Sequence, residues 1–471
     1  MYLNVYKYIM GKKEICKDIT FEECELAILR NAIDVADKIK GKTKMDSPDL
    51  RKIITIVENF IRQKSLICYG GTAINNILPK DDQFYDKDIE IPDYDFFSPT
   101  PLEDAKELAE IYYKAGFEEV EAKSGVHFGT FKVFVNFTPI ADVTLITKEI
   151  YKNIKKDAIQ VKGILYAPPN YLRMAMYLEL SRPNGDVSRW EKVLKRITLL
   201  NKHFPLIHKN CNVVDFQRAM DTPDNEEDLY DIVQKALIDQ SVVFFGGFAN
   251  TLYSKYMPRK MRRKLEKFPD FDVLTEDAYD TATIVKEKLI YHGFKKVTII
   301  RHDKIGDIIS EHFELNVQGE AVCFFYTPLA CHSYNEIHFN NTKIKVATVD
   351  TMMSFYLGFL YTNRAYYDNN RILCMSQYLF AVQQKNRLAQ KGLLRRFSIN
   401  CYGEQPTLET MRAAKSAKFE ELKDKRGTLE FEMWFLRYVP RELNAPMKTT
   451  MKKTMKKRKR KKAKSKSWGM F

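Results

Sequence analysis

The chain has 471 residues, enough for several separate cores, and its 45% hydrophobic content is that of a folded globular protein. No apolar run reaches the length of a membrane-crossing helix, and the opening MYLNVYKYIMGKKEICKD lacks the apolar stretch of a secretion signal, so an intracellular protein without a membrane anchor is predicted. The net charge is +15; the stretch Lys448 to Lys466 holds +12 of it without a single acid, which leaves +3 for the rest.

The eight cysteines, at 16, 24, 68, 211, 323, 331, 374 and 401, form no CxxC pair, and the histidines show no HExxH spacing. That argues against a zinc site or a disulfide framework and fits a reducing compartment.

Residues 1–64 form the first region, with 19–64 reading as helical. SLICYGGTAINNIL (65–78) follows, an apolar strand-like run ending in Gly70-Gly71 and turning into a helix. Glycines let backbone come close to a ligand, and a helix N-terminus offers free N–H groups to phosphate. The same pattern also describes a plain tight turn.

The next element, PDYDFF (92–97), narrows the choice. Strand alternation points Asp93 and Asp95 to one face and Tyr94 and Phe96 to the other. Two adjacent carboxylates repel unless a cation lies between them, and hard oxygen ligands suit Mg²⁺ or Mn²⁺. Asp142 then stands inside the apolar strand TPIADVTLI, where a carboxylate requires a partner; metal held by Asp93 and Asp95 would be that partner. Three carboxylates on adjacent strands can hold two metal ions, one activating a hydroxyl nucleophile and one steadying a leaving phosphate.

Further on the chain repeats itself. SVVFFGGFANTLY (241–253) parallels 65–78, with Gly246-Gly247 in the place of Gly70-Gly71, and PDFDVL (269–274) parallels PDYDFF. The first glycine and first aspartate are 23 residues apart in one copy and 24 in the other. The helical stretch 104–120 answers to 280–297, the strand-like 131–146 to 321–337, and the helix 171–182 to 351–364. Five matches in order predict two copies of one α/β unit. Aligning FTPIADV with YTPLACH sets Cys331 where Asp142 stands, and a thiol is a poor ligand for Mg²⁺. Glu314 and Glu320 precede the strand so aligned. The second copy, with Asp270 and Asp272 but no third aspartate, is expected to be inactive.

The pattern GG(T/S), DxD and a third aspartate on a later strand resembles the DNA-polymerase-β-like nucleotidyltransferases. YGGTAINNILP, IPDYDFFSPTP, HFGTFKVFVNFTPIADVT and LSRPNGDVSRWEKVLKR are similar to the poly(A) polymerase catalytic subunits of large nucleocytoplasmic DNA viruses. The resemblance covers most of residues 50–380, and leaves out the N-terminal helix and the basic tail. It implies that Gly70, Gly71 and Thr72 hold a triphosphate and that Asp93, Asp95 and Asp142 are catalytic metal ligands for Mg²⁺ or Mn²⁺. The implied reaction is template-independent transfer of AMP from ATP to an RNA 3′-hydroxyl with release of pyrophosphate, for viral mRNA maturation. It also implies a homodimer or pairing with a cap-methyltransferase-type subunit, and a place in the host cytoplasm or virion.

Arg189, Lys192, Lys195 and Arg196 recur at helical spacing. They make either a solvated helix face or, for Arg189 and Lys192, contacts with triphosphate or RNA backbone. His127 and Lys132 flank the strand before Asp142 and could touch nucleotide or primer, or serve structure alone. The basic tail reads as a solubility or localisation segment, nuclear targeting included, or as a contact with nucleic-acid phosphate.

The expected architecture is therefore α/β (α+β): two tandem nucleotidyltransferase-like units with mixed sheets and flanking helices, the second degenerate. Its predicted divisions are 1–64, a helical region; 65–200, the catalytic unit; 201–240, linker helices; 241–400, the second unit; 401–446, a helical segment; and 447–471, a disordered basic tail. The alternatives are a tRNA-end-adding or small-molecule nucleotidyltransferase, and a non-catalytic RNA-binding scaffold with a relic nucleotide site.

Overall fold

A computed structural model describes residues 20–45, 47–85, 92–209, 211, 214, 216, 226–262, 271–386 and 388–440. The basic tail, the start of the chain and Asp270 lie outside the described residues. No helix among the described residues is long and apolar enough to cross a membrane.

Two helices lead in, α1 (Phe21–Met45) and α2 (Pro48–Lys64). Proline at the first turn of α2 costs no hydrogen bond there, and Ser65 closes the helix in a left-handed conformation. Leu50, Ile53, Val57, Phe60 and Ile61 recur at helical spacing and are buried.

The first sheet follows: β1 (Ile67–Cys68), β2 (Tyr94–Ser98), β3 (Val120–Ser124), β4 (Thr130–Val135), β5 (Thr138–Leu145), β6 (Ile159–Val161) and β7 (Ile164–Tyr166). Helix α3 (Gly70–Ile77) follows β1, α4 (Pro101–Lys114) follows β2, α5 (Lys148–Lys156) follows β5, and α6 (Pro169–Leu180) and α7 (Trp190–His203) follow β7. Tyr94 and Phe96 point into the core beneath α2 and α4, leaving Asp95 on the opposite face.

After α8 (Glu226–Asp239) the pattern returns as β8 (Val243–Phe245), α9 (Gly246–Ser254), β9 (Phe271–Leu274), α10 (Ala278–Tyr291), β10 (Val297–His302), β11 (His312–Val317), β12 (Glu320–Tyr326), β13 (His332–Phe339), β14 (Thr342–Ala347), α11 (Val349–Phe359) and α12 (Asn369–Lys385). The chain closes with β15 (Cys401–Tyr402), α13 (Leu408–Leu422), α14 (Leu429–Phe435) and β16 (Arg437–Tyr438). Both sheets have one strand order. The first runs β16-β3-β4-β5-β2-β1-β7-β6 and the second β10-β11-β12-β9-β8-β14-β13-β15. Each thus holds the same seven strands in the same neighbour relations, with parallel pairs β2–β5 and β9–β12 in the middle. The α/β class with mixed sheets is the one the sequence leads one to expect.

The equivalent helices α6 and α11 pack against each other where the units meet. Tyr171 lies edge-on to Tyr361 with ring centroids 5.3 Å apart, Asn153 donates to the Tyr361 carbonyl at 2.9 Å, and Arg364 pairs with Glu149. The Ser333 N–H donates to the Ser181 carbonyl at 2.8 Å, tying the start of β13 to the end of α6.

The expectation of no disulfides is corrected. Cys211 bridges to Cys374 and Cys331 to Cys401, with Cα–Cα separations of 5.2 and 5.1 Å. The partners lie 163 and 70 residues apart in sequence, so only the fold brings them together.

Candidate active site

The site assembles around the Gly-Gly turn. Tyr69 leaves β1 in an extended conformation and its N–H donates to the Asp95 carbonyl at 2.9 Å. Gly70 then takes φ +71°, left-handed backbone that a side chain disfavours. A Cβ there would lie 2.7 Å from Asp95 Oδ2, so glycine is required both for the turn and for the carboxylate beside it. Helix α3 begins at this residue, directing the unpaired N–H groups of its first turn outward. The Thr72 hydroxyl is spent on structure: it donates to the Asp93 carbonyl at 2.6 Å, fixing the helix start to the aspartate pair.

Asp95 on β2 and Asp142 on β5 are direct register partners across parallel strands, and Asp93 lies just before β2. Burial and then the neighbouring Asp142 and Asp93 push the Asp95 carboxyl up to about 7, against the opposing pull of Lys132 and Arg189. Lys132, opposite Asp142 on β4, forms an ion pair with Asp142 Oδ2. Among the described residues no three His, Cys, Asp or Glu side chains converge at metal-holding distance; Asp142 is turned to the lysine instead. The donor set fits a hard divalent cation all the same. It is all oxygen, its carboxylates are adjacent, and their mutual repulsion already recruits one ammonium.

The basic residues divide. Arg189 is exposed, pairs with Glu179 at 2.9 Å, and is near enough to favour the charged form of Asp95. Lys192 is exposed on α7, and Lys195 pairs with Glu191 in solvent. His127 is exposed on the loop before β4. The residue set against the Gly-Gly turn is Arg196. Its Nη1 would lie 2.8 Å from a Cβ on Gly71, its Nη2 donates to the Tyr85 hydroxyl at 2.6 Å, and its guanidinium sits 4.8 Å from the Phe84 ring centre. Buried Asn75 fixes this arrangement by accepting from the Phe84 and Tyr85 N–H groups at 2.7 and 2.8 Å. Tyr85 and the nearness of Arg196 to Gly71 escape sequence reasoning. The available signal is that Arg196 falls seven residues after Arg189, on the same side of the helix.

The second unit repeats the frame with different side chains. Gly246 has φ +71° and a Cβ there would collide with the Asp272 carboxylate. Asp272 pairs in register with Phe324, across the parallel strands β9 and β12. The counterpart of Asp142 is therefore Phe324, and the expected match to Cys331 is corrected. The hairpins set the register: Asn136-Phe137 and Gln318-Gly319 both take left-handed turns, and counting from them aligns Asp142 with Phe324 and Lys132 with Glu314. Phe248 stands where the first unit has Thr72, and Phe248 and Phe324 are fully enclosed. Glu314 is turned to His302, 2.8 Å away. Aromatic rings thus fill the space that the first unit leaves polar.

A family model described as "Poly(A) polymerase catalytic subunit" matches residues 55–186. A protein of Acanthamoeba polyphaga mimivirus that bears the name of a poly(A) polymerase catalytic subunit is 31% identical over 213 residues, 44% of this chain and 34% of that protein. A protein of the same name from African swine fever virus (strain Badajoz 1971 Vero-adapted) is 32% identical over 174 residues, 36% of each chain. The matched stretch thus spans about a third of these relatives' length. The crystal structure of the Megavirus polyadenylate synthase superposes with a TM-score of 0.75 at 19% identity, over 96% of this chain and 91% of that one, which shows a shared fold. Over residues 55–186 the chain is thus similar to the poly(A) polymerase catalytic subunits.

Proposed function

We propose that the chain is a viral polynucleotide adenylyltransferase that adds AMP from ATP to RNA 3′ ends, releasing pyrophosphate, in mRNA maturation. The observation that carries this reading is the contrast between the units. Asp142 faces Asp95 in the first, while Phe324 faces Asp272 in the second. A relic nucleotide site would be expected to lose a carboxylate of the set, as the second unit has lost its third.

In this reading Asp93, Asp95 and Asp142 hold Mg²⁺ or Mn²⁺. When bound, the ions supply Lewis acidity to the attacking hydroxyl and charge compensation to the leaving pyrophosphate. Gly70 and Gly71 let the triphosphate approach the backbone, and the N–H groups of Gly71 and Thr72 with the Arg196 guanidinium receive its oxygens. Arg189, just before α7, and Lys192, in its first turn, serve the outer phosphates or the RNA backbone. The RNA 3′-oxygen bonds to the α-phosphorus as the bond to pyrophosphate breaks, and the hydroxyl proton leaves toward the carboxylate cluster. Residues 65–200 make the catalytic unit and 241–400 a structural one; a homodimer or a cap-methyltransferase-type subunit would complete the assembly, in the host cytoplasm.

Incubation with a short RNA, Mg²⁺ or Mn²⁺, and each NTP separately tests the reading. Long extension by ATP alone is expected. A few added nucleotides would indicate an end-adding enzyme, and no product with any NTP and either metal would indicate a scaffold.

A further inference from the structure

A cleft of about 550 Å³ opens between the two units on the carboxylate-bearing face of the first sheet. Phe97 and Thr144 form part of its wall, each two residues beyond Asp95 and Asp142 on the same strand and so on the same face. Tyr171 on α6 and Phe355 on α11 add aromatic surface from both units. A largely apolar cleft with aromatic side chains in its wall suits a planar heterocycle.

Two polar side chains in this wall carry buried nitrogens without a hydrogen-bond partner. Arg182 Nε is buried without a hydrogen-bond partner, and so are both ring nitrogens of His332, a residue only 2% exposed. A buried polar group left unpaired costs on the order of 1–3 kcal/mol, so a conjunction of three such atoms in one cleft calls for a ligand. The two residues come from different units. The Ser333-to-Ser181 backbone bond holds them side by side, and the Cys331–Cys401 bridge anchors the strand end from which His332 emerges. Burial and the adjacent Arg182 push the His332 imidazole down to about 3, so at neutral pH it carries one donor and one acceptor nitrogen.

We propose that this cleft is a nucleobase site selective for adenine, with Arg182 donating to a ring nitrogen and His332 accepting from the exocyclic amino group. Adenine carries an amino donor next to a ring acceptor on each of its two reading edges, which complements a donor-only guanidinium beside a neutral imidazole. Guanine sets a carbonyl oxygen where the amino group would be, opposing the imidazole lone pair. The second, non-catalytic unit thereby supplies half of the base recognition. This rests on the nucleotide-transfer reading above. The base belongs either to the incoming ATP or to the terminal residue of the RNA, because the cleft adjoins the carboxylates that join the two.

The test uses the full chain. Equilibrium binding of ATP, GTP and purine riboside triphosphate, which lacks the amino group, is measured for wild type, Arg182→Met and His332→Phe. KM for ATP and for RNA primers ending in A or in U is measured alongside. His332→Phe keeps a ring against Phe355, now 5.1 Å between centroids, and a melting curve checks both folds. Wild type is expected to bind ATP about tenfold more tightly than purine riboside triphosphate, with His332→Phe erasing the difference. A shift in the nucleotide arm assigns the base to ATP; a shift confined to A-ended primers assigns it to the RNA. Preferences that both substitutions leave unchanged in both arms, whether or not wild type discriminates, would overturn the proposal. Failure of wild type to extend RNA would sink the transfer reading, while the binding arm would still decide the cleft.

Discussion

Asp142 stands directly opposite Asp95 across the parallel strands β5 and β2, and Lys132 on the next strand closes on its carboxylate. In the second unit the same three sheet positions hold Phe324, Asp272 and Glu314. The exchange removes the third carboxylate and the ammonium together, which is what a shift from ionic chemistry to aromatic packing requires. The fold survives because the flanking strand order and the glycine turn are retained.

The turn glycines separate folding from catalysis. Gly70→Ala forces a side chain into left-handed backbone at a cost of about 1–2 kcal/mol and presses on Asp95. It is expected to lower both the melting temperature and AMP transfer, the latter more than tenfold. Gly246→Ala should lower the melting temperature at least as much and leave the activity per folded molecule unchanged. Equal activity losses in both variants would show that the second turn also serves catalysis.

Arg196 and Lys192 share helix α7 but differ in place, Arg196 lying against the Gly-Gly turn and Lys192 standing exposed. Loss of a charge-assisted hydrogen bond to phosphate costs roughly 1.5–3 kcal/mol, so Arg196→Met should raise KM for ATP by about ten- to a hundredfold. Lys192→Met, altering an exposed ammonium, should raise it less than about threefold. The reverse order in steady-state kinetics would place the triphosphate away from the Gly-Gly turn.

Lys132 competes for the charge that a divalent ion would use. Removing one positive charge a few ångströms from a cation site strengthens cation binding, by at least about tenfold at the effective dielectric of a partly exposed site. Lys132→Met should therefore bind Mn²⁺ more tightly, read by electron paramagnetic resonance of free Mn²⁺. Weaker binding would mean that the lysine orients Asp142 for the metal and does not compete with it.

The duplication, the glycine turns and the aspartate strand are legible in the sequence because each carries a local signal: a glycine pair, alternation, a spacing. The register of the last core strand is not. AVCFFY in β12 is apolar at every position after Glu320 and nearly all buried, so no alternation fixes which residue faces which side. The TP dipeptides at 138–139 and 327–328 then draw the alignment seven residues too far, from Phe324 to Cys331. The Gln318-Gly319 turn was the better marker. Arg196 beside Gly71, Arg182 beside His332 and the two cysteine bridges join residues 70 or more apart, and local pattern carries no information about such pairs.

The central claim, one working site in two copies of one unit, is tested most directly by measuring AMP transfer to an RNA primer with Asp142→Ala and Asp272→Ala side by side. A metal ligand's contribution of several kcal/mol predicts a loss of about a thousandfold or more in Asp142→Ala. Asp272→Ala, checked by its melting curve, should keep most of the wild-type rate. Loss of activity in a well-folded Asp272→Ala protein, or its persistence in Asp142→Ala, would contradict the account.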